Sequence, residues 1–330
     1  MSYVSMRCRA CGANESRLGG LALKEMMYGS REEFAYARCG ACGCLQIVDI
    51  PADLGRFYPP GYYSQRPRAE PAEKGRLRRW LVAFVGRSLA LQPESLLSFA
   101  LRRIGLVPAD FDTIGSYLTR SALPHADVGV LDVGCGSSPH RLTAMRRCGF
   151  SHVMGLDPFI EADTLFYGVP VKKCMLDDMN GEFGLVMFHH SLEHMPDPFG
   201  ALRKAYQLLM PGGCCLIRVP VMDTYFWRRY GPNWVELDAP RHLHLFSVGA
   251  IGAMAERAGF DVVHTEFDSE LWEIESSEAY EAGVALVDQV APTNPSPEVR
   301  ARRKTLLAKL ARLNALGDAG RACFYLRRPN

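Results

Sequence analysis

The segment Val130-Leu131-Asp132-Val133-Gly134-Cys135-Gly136-Ser137-Ser138-Pro139, followed by Val153-Met154-Gly155-Leu156-Asp157, constrains the fold more than any other part of the chain. A short apolar run ends in an acid and two glycines spaced i, i+2, and about 20 residues later a second apolar run ends in another acid. That is the pattern of a βαβ unit holding a nucleoside beyond its strand ends. The glycines let backbone approach a ligand, and the Asp157 carboxylate has acceptors for both ribose hydroxyls. A dinucleotide pocket would carry a third glycine at position 139, where this chain has Pro139, so a pyrophosphate ligand is disfavoured.

After Asp127, short apolar segments alternate with helical ones, which predicts a parallel sheet. Strands are expected near 129–133, 152–156, 170–174, 184–188, 214–219, 261–267 and 321–327, with helices about 139–148, 199–209 and 248–258. In such a sheet, ligands sit beyond the carboxyl ends of the strands, at the switch in strand order.

Later motifs keep the same order. Phe183-Gly184-Leu185-Val186-Met187-Phe188-His189-His190-Ser191-Leu192-Glu193-His194 reads as a strand and its following loop, and Met210-Pro211-Gly212-Gly213-Cys214-Cys215-Leu216-Ile217 as a turn into the next strand. With these four motifs, residues 125–330 resemble the class I S-adenosylmethionine-dependent methyltransferases. The resemblance implies an α/β, Rossmann-like, seven-stranded sheet whose last strand, entered through Gly317-Asp318-Ala319-Gly320, is antiparallel. It also implies S-adenosylmethionine as cofactor. Asp132 and the Gly134-Cys135-Gly136 turn would hold its methionine part, Asp157 the ribose, and Asp177 or Asp178 with Met179 the adenine edge, with His189 completing the pocket. For Asp177 and Asp178, helix capping is a competing role.

A hydroxyl acceptor must lose its proton, and histidine titrates in the right range. His189, His190, Glu193 and His194 follow the fourth strand, and His242 and His244 follow the fifth within Glu236-Leu237-Asp238-Ala239-Pro240-Arg241-His242-Leu243-His244-Leu245-Phe246. Both groups should reach one sheet edge. His242 is the first expectation for general base, then His190 and His244. Some small-RNA and ubiquinone O-methyltransferases carry Glu-x-x-Glu-His here to hold a divalent ion. This chain reads His190-Ser191-Leu192-Glu193-His194, so His190, Glu193 and His194 form a candidate second metal site that departs from the pattern at its first residue. The aromatic cluster Tyr225, Phe226, Trp227, Tyr230 and Trp234 is expected to be in part substrate-facing and in part core.

The remainder of the chain supplies two smaller parts. Residues 1–58 contain two CxxC pairs, Cys8/Cys11 and Cys39/Cys42, each followed by glycine. Four thiolates fill a tetrahedral shell, so this predicts a structural zinc ribbon, with Cys44 an alternative to Cys42. Residues 59–122 form a linker, Pro59-Pro60-Gly61-Tyr62-Tyr63 through Pro71, and a helical arm in which Arg76, Arg78, Arg79, Arg87, Arg102 and Arg103 interleave with Leu77, Trp80, Leu81, Phe84, Leu96 and Leu101. A surface helix packed on the main domain accounts for that pattern, and contact with a membrane surface or with an anionic substrate is the alternative. Residues 123–330 form the cofactor-binding domain.

Of 330 residues, 48% are hydrophobic, enough for a large core, and the net charge of +2 provides no general field for nucleic acid. With no run of 18 apolar residues and no basic-then-apolar start, the expectation is a cytoplasmic protein without a spanning helix, whose 11 cysteines stay reduced. The CxxC module together with the 238–246 segment resembles bacterial methyltransferases of surface-polysaccharide and glycan assembly. The expected acceptor is thus a hydroxyl of a sugar, glycan or related small metabolite. Carbon methylation of a nucleotide-linked deoxysugar, RNA methylation and a non-catalytic scaffold that keeps the fold are the rival readings. Oligomeric state is not readable.

Overall fold

The computed structural model describes residues 6–14, 20–59, 75–290 and 294–330. Most of the expected linker, from Pro60 to Pro71, lies outside the described residues. Near the amino terminus, β1 (Leu21–Lys24), β2 (Glu33–Arg38) and β3 (Leu45–Ile47) form an antiparallel meander. The arm follows as α1 (Arg76–Leu91), α2 (Leu96–Arg103) and α3 (Ala109–Ser121). Gln92-Pro93-Glu94 divides the expected helical stretch in two, since a proline cannot donate to the preceding turn.

The large domain runs β4 (Val130–Val133), α4 (His140–Arg147), β5 (Val153–Leu156), β6 (Thr164–Phe166), β7 (Val169–Lys172), β8 (Phe183–His189), α5 (Pro198–Leu208) and β9 (Leu209–Pro220). It continues through α6 (Tyr225–Tyr230), β10 (His244–Leu245), α7 (Val248–Ala258), β11 (Asp261–Phe267), α8 (Leu271–Glu281), α9 (Pro297–Leu316) and β12 (Arg321–Arg327). The sheet order is β11-β12-β9-β8-β4-β5-β7-β6, with β12 antiparallel to both neighbours. The seven expected strands all lie in it with the last one reversed. An eighth, β6, adds an antiparallel edge hairpin to β7 that was not foreseen. Its three residues are exposed or half-buried and carry no alternating apolar pattern to announce a strand.

Successive side chains of a strand point to opposite faces, so each apolar run supplies two cores. Leu131, Val133, Val186, Phe188 and Ile217 pack with Leu202, Ile251 and Met254 of α5 and α7 on one face. Val130, Leu185, Met187 and Leu216 pack with the arm and α4 on the other. At roughly 1.5–3 kcal/mol per fully buried large aliphatic side chain, these faces hold the sheet rigid enough to fix the loops at its carboxyl edge.

A third core joins the two ends of the chain. Leu23, Tyr36, Leu45 and Ile47 from the meander pack with Trp234, Leu243, Leu245, Ile274 and Leu310. β10 pairs with β3, His244 opposite Gln46 and Leu245 opposite Leu45, and so completes a four-stranded sheet with the meander. The cysteine module and the loop carrying His242 therefore share backbone hydrogen bonds, including Ile47 N–H to the Leu243 carbonyl at 2.9 Å. Phe226, Tyr230 and Trp234 are buried in this third core and Tyr225 and Trp227 lie partly buried against it. The aromatic cluster is predominantly core, where large rings bury the most apolar area.

Candidate functional site

At the carboxyl end of β4 the chain turns through Gly134 (φ +74°) into the loop before α4, and a Cβ at Gly134 would sit 2.6 Å from Cβ of Ser191. Ser191, in the loop after β8, donates to the Val133 carbonyl at 2.6 Å. The glycine is thus required where two loops meet at the switch in strand order. Cys135 turns back over the sheet: a Cβ on Gly155 would collide with its Sγ, which makes Cys135 a packing residue of the turn with only its backbone available.

Asp132 and Asp157 end the neighbouring strands β4 and β5. Asp132 is 1% exposed, its Oδ1 has no hydrogen-bond partner among the described residues, and its Oδ2 lies 3.9 Å from Arg141 Nε. Burial pushes its pKa up to about 6 against the pull of Arg141, with the nearby Asp157 charge adding to the rise. Asp157 is 8% exposed and accepts from Gly136 N–H on Oδ2 and from Phe159 N–H on Oδ1, both at 2.9 Å. A carboxylate has about four acceptor positions, so these two bonds fix its orientation and leave one lone pair on each oxygen. Burial raises its pKa as well, opposed by those N–H groups.

Farther along the edge, Asp177 and Asp178 sit exposed on a single 3₁₀ turn and Met179 is buried. His189 ends β8 under Tyr117 of α3, ring centroids 4.8 Å apart, and neither ring nitrogen has a partner among the described residues. His190 is held differently. Its backbone takes φ +51°, and its Nε2 lies 2.7 Å from Nη1 of Arg218. A guanidinium only donates, so Nε2 is the acceptor and the neutral ring carries its proton on Nδ1, 3.3 Å from Oε1 of Glu193. That Nε2 is therefore not free to take a proton or a metal.

Glu193 is wholly buried, and apart from the His190 contact neither of its oxygens has a hydrogen-bond partner among the described residues. Burial raises its pKa well above the ordinary carboxylate range. His194 Nδ1 lies 2.8 Å from the Arg241 carbonyl and His242 Nδ1 lies 2.7 Å from the Glu236 carbonyl. Because a carbonyl only accepts, both rings carry their protons on Nδ1 and leave the Nε2 lone pairs open. His242 Nε2 is 4.0 Å from Glu193 Oε1, and ligand atoms of Glu193, His194 and His242 lie within 4.8 Å of one another. The cluster thus differs from the expected His190, Glu193 and His194: His242 takes the place of His190. His244 points elsewhere, buried on β10, stacked on Phe246 and close to Arg9 and Cys8 of the cysteine module.

A second charged group lies behind His190, and the sequence reading missed it. Arg218 on β9 donates to Asp268 at 2.5 Å, and Arg321 at the start of β12 faces Asp268, Glu270, Glu273 and Glu236 at 3.3, 3.2, 3.5 and 3.7 Å. The available signal was an arginine inside the apolar run Cys214-Cys215-Leu216-Ile217-Arg218-Val219, an expensive placement unless it is paired.

In the amino-terminal module, Cys8 and Cys42 sulfurs are 3.7 Å apart and Cys11 and Cys39 sulfurs 3.6 Å, with all four within 4.8 Å of one another. Tetrahedral zinc with bonds of about 2.3 Å spaces its sulfurs by about 3.8 Å, so the residues present fit that ion. Backbone bonds Gly12 N–H to Cys8 O and Gly43 N–H to Cys39 O close both knuckles. Cys44 is buried beside them, faces the Leu45 carbonyl and stays outside the four.

A family model of the methyltransferase domain matches residues 105–265. The chain is 30% identical over 151 residues to the ubiquinone biosynthesis O-methyltransferase of Pseudomonas aeruginosa strain UCBPP-PA14, an alignment that covers 40% of this chain and 64% of that protein. The corresponding protein of Pseudomonas paraeruginosa strain DSM 24068 / PA7 is 31% identical over 151 residues with the same coverage. The chain thus spans a little under two thirds of the length of these curated relatives. Among solved structures, a SAM dependent methyltransferase from Archaeoglobus fulgidus aligns at 18% identity with a TM-score of 0.43, covering 70% of this chain and 99% of that one. The α/β methyltransferase fold is common to the matched family and to this sheet order.

Proposed function

We propose that this chain transfers a methyl group from S-adenosylmethionine to a hydroxyl of a sugar, glycan or related small metabolite. The observation that carries the reading is the pair of buried carboxylates at the tips of β4 and β5, one orphaned and one aligned with acceptors to spare. An ammonium group would satisfy Asp132, and the two ribose hydroxyls of an adenosine match the open lone pairs of Asp157. Bound there, S-adenosylmethionine supplies a methyl group on an electrophilic sulfur, and the protein's task is alignment in a dry pocket.

Glu193, His194 and His242 would hold a divalent ion. The donor set fits: two neutral imidazoles pinned through Nδ1–H to backbone carbonyls, as metal-binding histidines commonly are, and a buried carboxylate otherwise approached by His190 Nδ1. An ion at this position lowers the pKa of an acceptor hydroxyl. In this reading His242 serves as a ligand instead of the expected general base, because its proton is committed to Glu236 and its lone pair faces Glu193. His190 orients Glu193 and is itself oriented by Arg218. Cys8, Cys11, Cys39 and Cys42 would bind a separate, structural zinc. The O-methyltransferase relatives support a hydroxyl acceptor, and the combination of a CxxC module with the 238–246 segment supports a glycan one.

Metal analysis separates the two sites. The wild type should bind two ions per chain, the E193Q and H242A variants one, with the cysteine site retained. An unchanged metal content would remove the second ion. Incubation with methyl-labelled S-adenosylmethionine and glycan, sugar-nucleotide, quinol or RNA fractions tests the acceptor. Label is expected in the glycan or sugar fraction, and label in RNA or in quinol would overturn that assignment.

A further inference from the structure

The arm exposes an apolar stripe that the fold does not use. On α1, Leu77, Trp80, Leu81 and Phe84 fall at i, i+3, i+4 and i+7, one continuous face of a helix. All four are exposed, Leu77 at 80% and Trp80 at 59%. The side of α1 that packs on the domain is a different one, formed by Val85, Gly86, Leu89 and Ala90, with Gly86 against Cys148. The helix is therefore apolar on two opposite sides, and among the described residues only one is covered. α2 and the turn after it continue the exposed surface with Leu96 at 89%, Phe99 at 67% and Ile104 at 66%. Trp80 and Phe84 stack on each other, ring centroids 5.7 Å apart, so the stripe presents a preformed aromatic pair.

The charges along this stretch are mostly positive. Between residues 75 and 106 the chain carries six arginines, Arg76, Arg78, Arg79, Arg87, Arg102 and Arg103, and one acid, Glu94, in a protein whose total net charge is +2. All six arginines are exposed. Two copies of such a surface would face each other with like charge, whereas an anionic lipid surface offers both complements, headgroup charge for the arginines and acyl boundary for Trp80, Phe84 and the leucines.

We propose that α1 and α2 form a docking surface for an anionic membrane, on which the apolar stripe enters the headgroup boundary and the arginines meet lipid phosphates. No helix of the described residues is long and apolar enough to cross a membrane, so this contact is peripheral. The arm packs on α3, and α3 places Tyr117 against His189 at the carboxyl edge of the sheet.

The test is co-sedimentation of the full chain with vesicles of phosphatidylcholine alone and vesicles of equal parts phosphatidylcholine and phosphatidylglycerol. Binding is expected to the anionic vesicles only, weakening as salt is raised. The double variant W80S/F84S and the double variant R76Q/R78Q should each lower it by about tenfold or more, with melting temperature and S-adenosylmethionine affinity unchanged because these side chains face outward. Failure of the wild type to bind either vesicle would overturn the proposal, as would equal binding by both variants. So would a wild-type dimer in light scattering that W80S/F84S converts to a monomer without any vesicle binding.

Discussion

Asp132 illustrates how one buried atom ties the sequence to a measurable property. Its carboxyl is held at about 6 chiefly by burial, so it is ionised at pH 7 and becomes protonated as the pH falls through that value. A cationic ligand group binds the ionised form, which stabilises the charge and draws affinity with it. S-adenosylmethionine affinity should therefore be flat above pH 7 and fall below about 6, and D132N should bind weakly with no such pH dependence in a calorimetric titration. Arg241 makes the complementary case for stability. It is fully buried, 2.8 Å from buried Glu25 and 2.6 Å from Asp238, and it also reaches the Phe57 carbonyl. R241A leaves buried Glu25 with only its bonds from Tyr28 and Ser30 and no counter-charge, and should cost about 3 kcal/mol in chemical denaturation, whereas an exposed pair such as Lys24 and Glu33 should cost under about 1 kcal/mol when broken.

At the scale of elements, the decisive contact is β3 with β10. Tyr36 on β2 donates to the His242 carbonyl at 2.8 Å, and Ser247 donates to the Cys42 carbonyl, so the cysteine knuckles and the histidine loop are one mechanical unit. C39S/C42S should leave that module unable to bind zinc, lower the melting temperature and reduce methyl transfer together. Methyl transfer at wild-type level in the zinc-free variant would show that the module does not position His242. The strands of the main sheet were legible because runs such as Leu185-Val186-Met187-Phe188 are apolar without interruption, which only a strand covered on both faces supports. The glycine turn and both strand-end acids were legible for a related reason, since their spacing is local. What lay beyond reading was long-range: His242 meeting Glu193 across 49 positions of sequence, Arg218 capturing His190, and the two-residue strand β10 crossing to the amino-terminal sheet. The aromatic cluster was ambiguous because ring-rich segments line cores and pockets alike, and only packing assigns Trp234 to the core.

Over the whole molecule, a nearly neutral chain places six arginines and one acid on the first two helices of its arm, and buried carboxylates and histidines at the tips of β4, β5 and β8. The first distribution suits a surface contact and the second a reaction that must handle a cation and a proton away from water. The second rests on the sheet binding a nucleoside with a sulfonium across β4 and β5. Calorimetric titration of the purified chain and of D157A with S-adenosylmethionine tests this most directly. Losing a carboxylate bonded to two ribose hydroxyls should weaken a one-to-one association by about tenfold or more while the variant remains folded. No heat of binding to the folded wild type, or equal affinity for wild type and D157A, would contradict it.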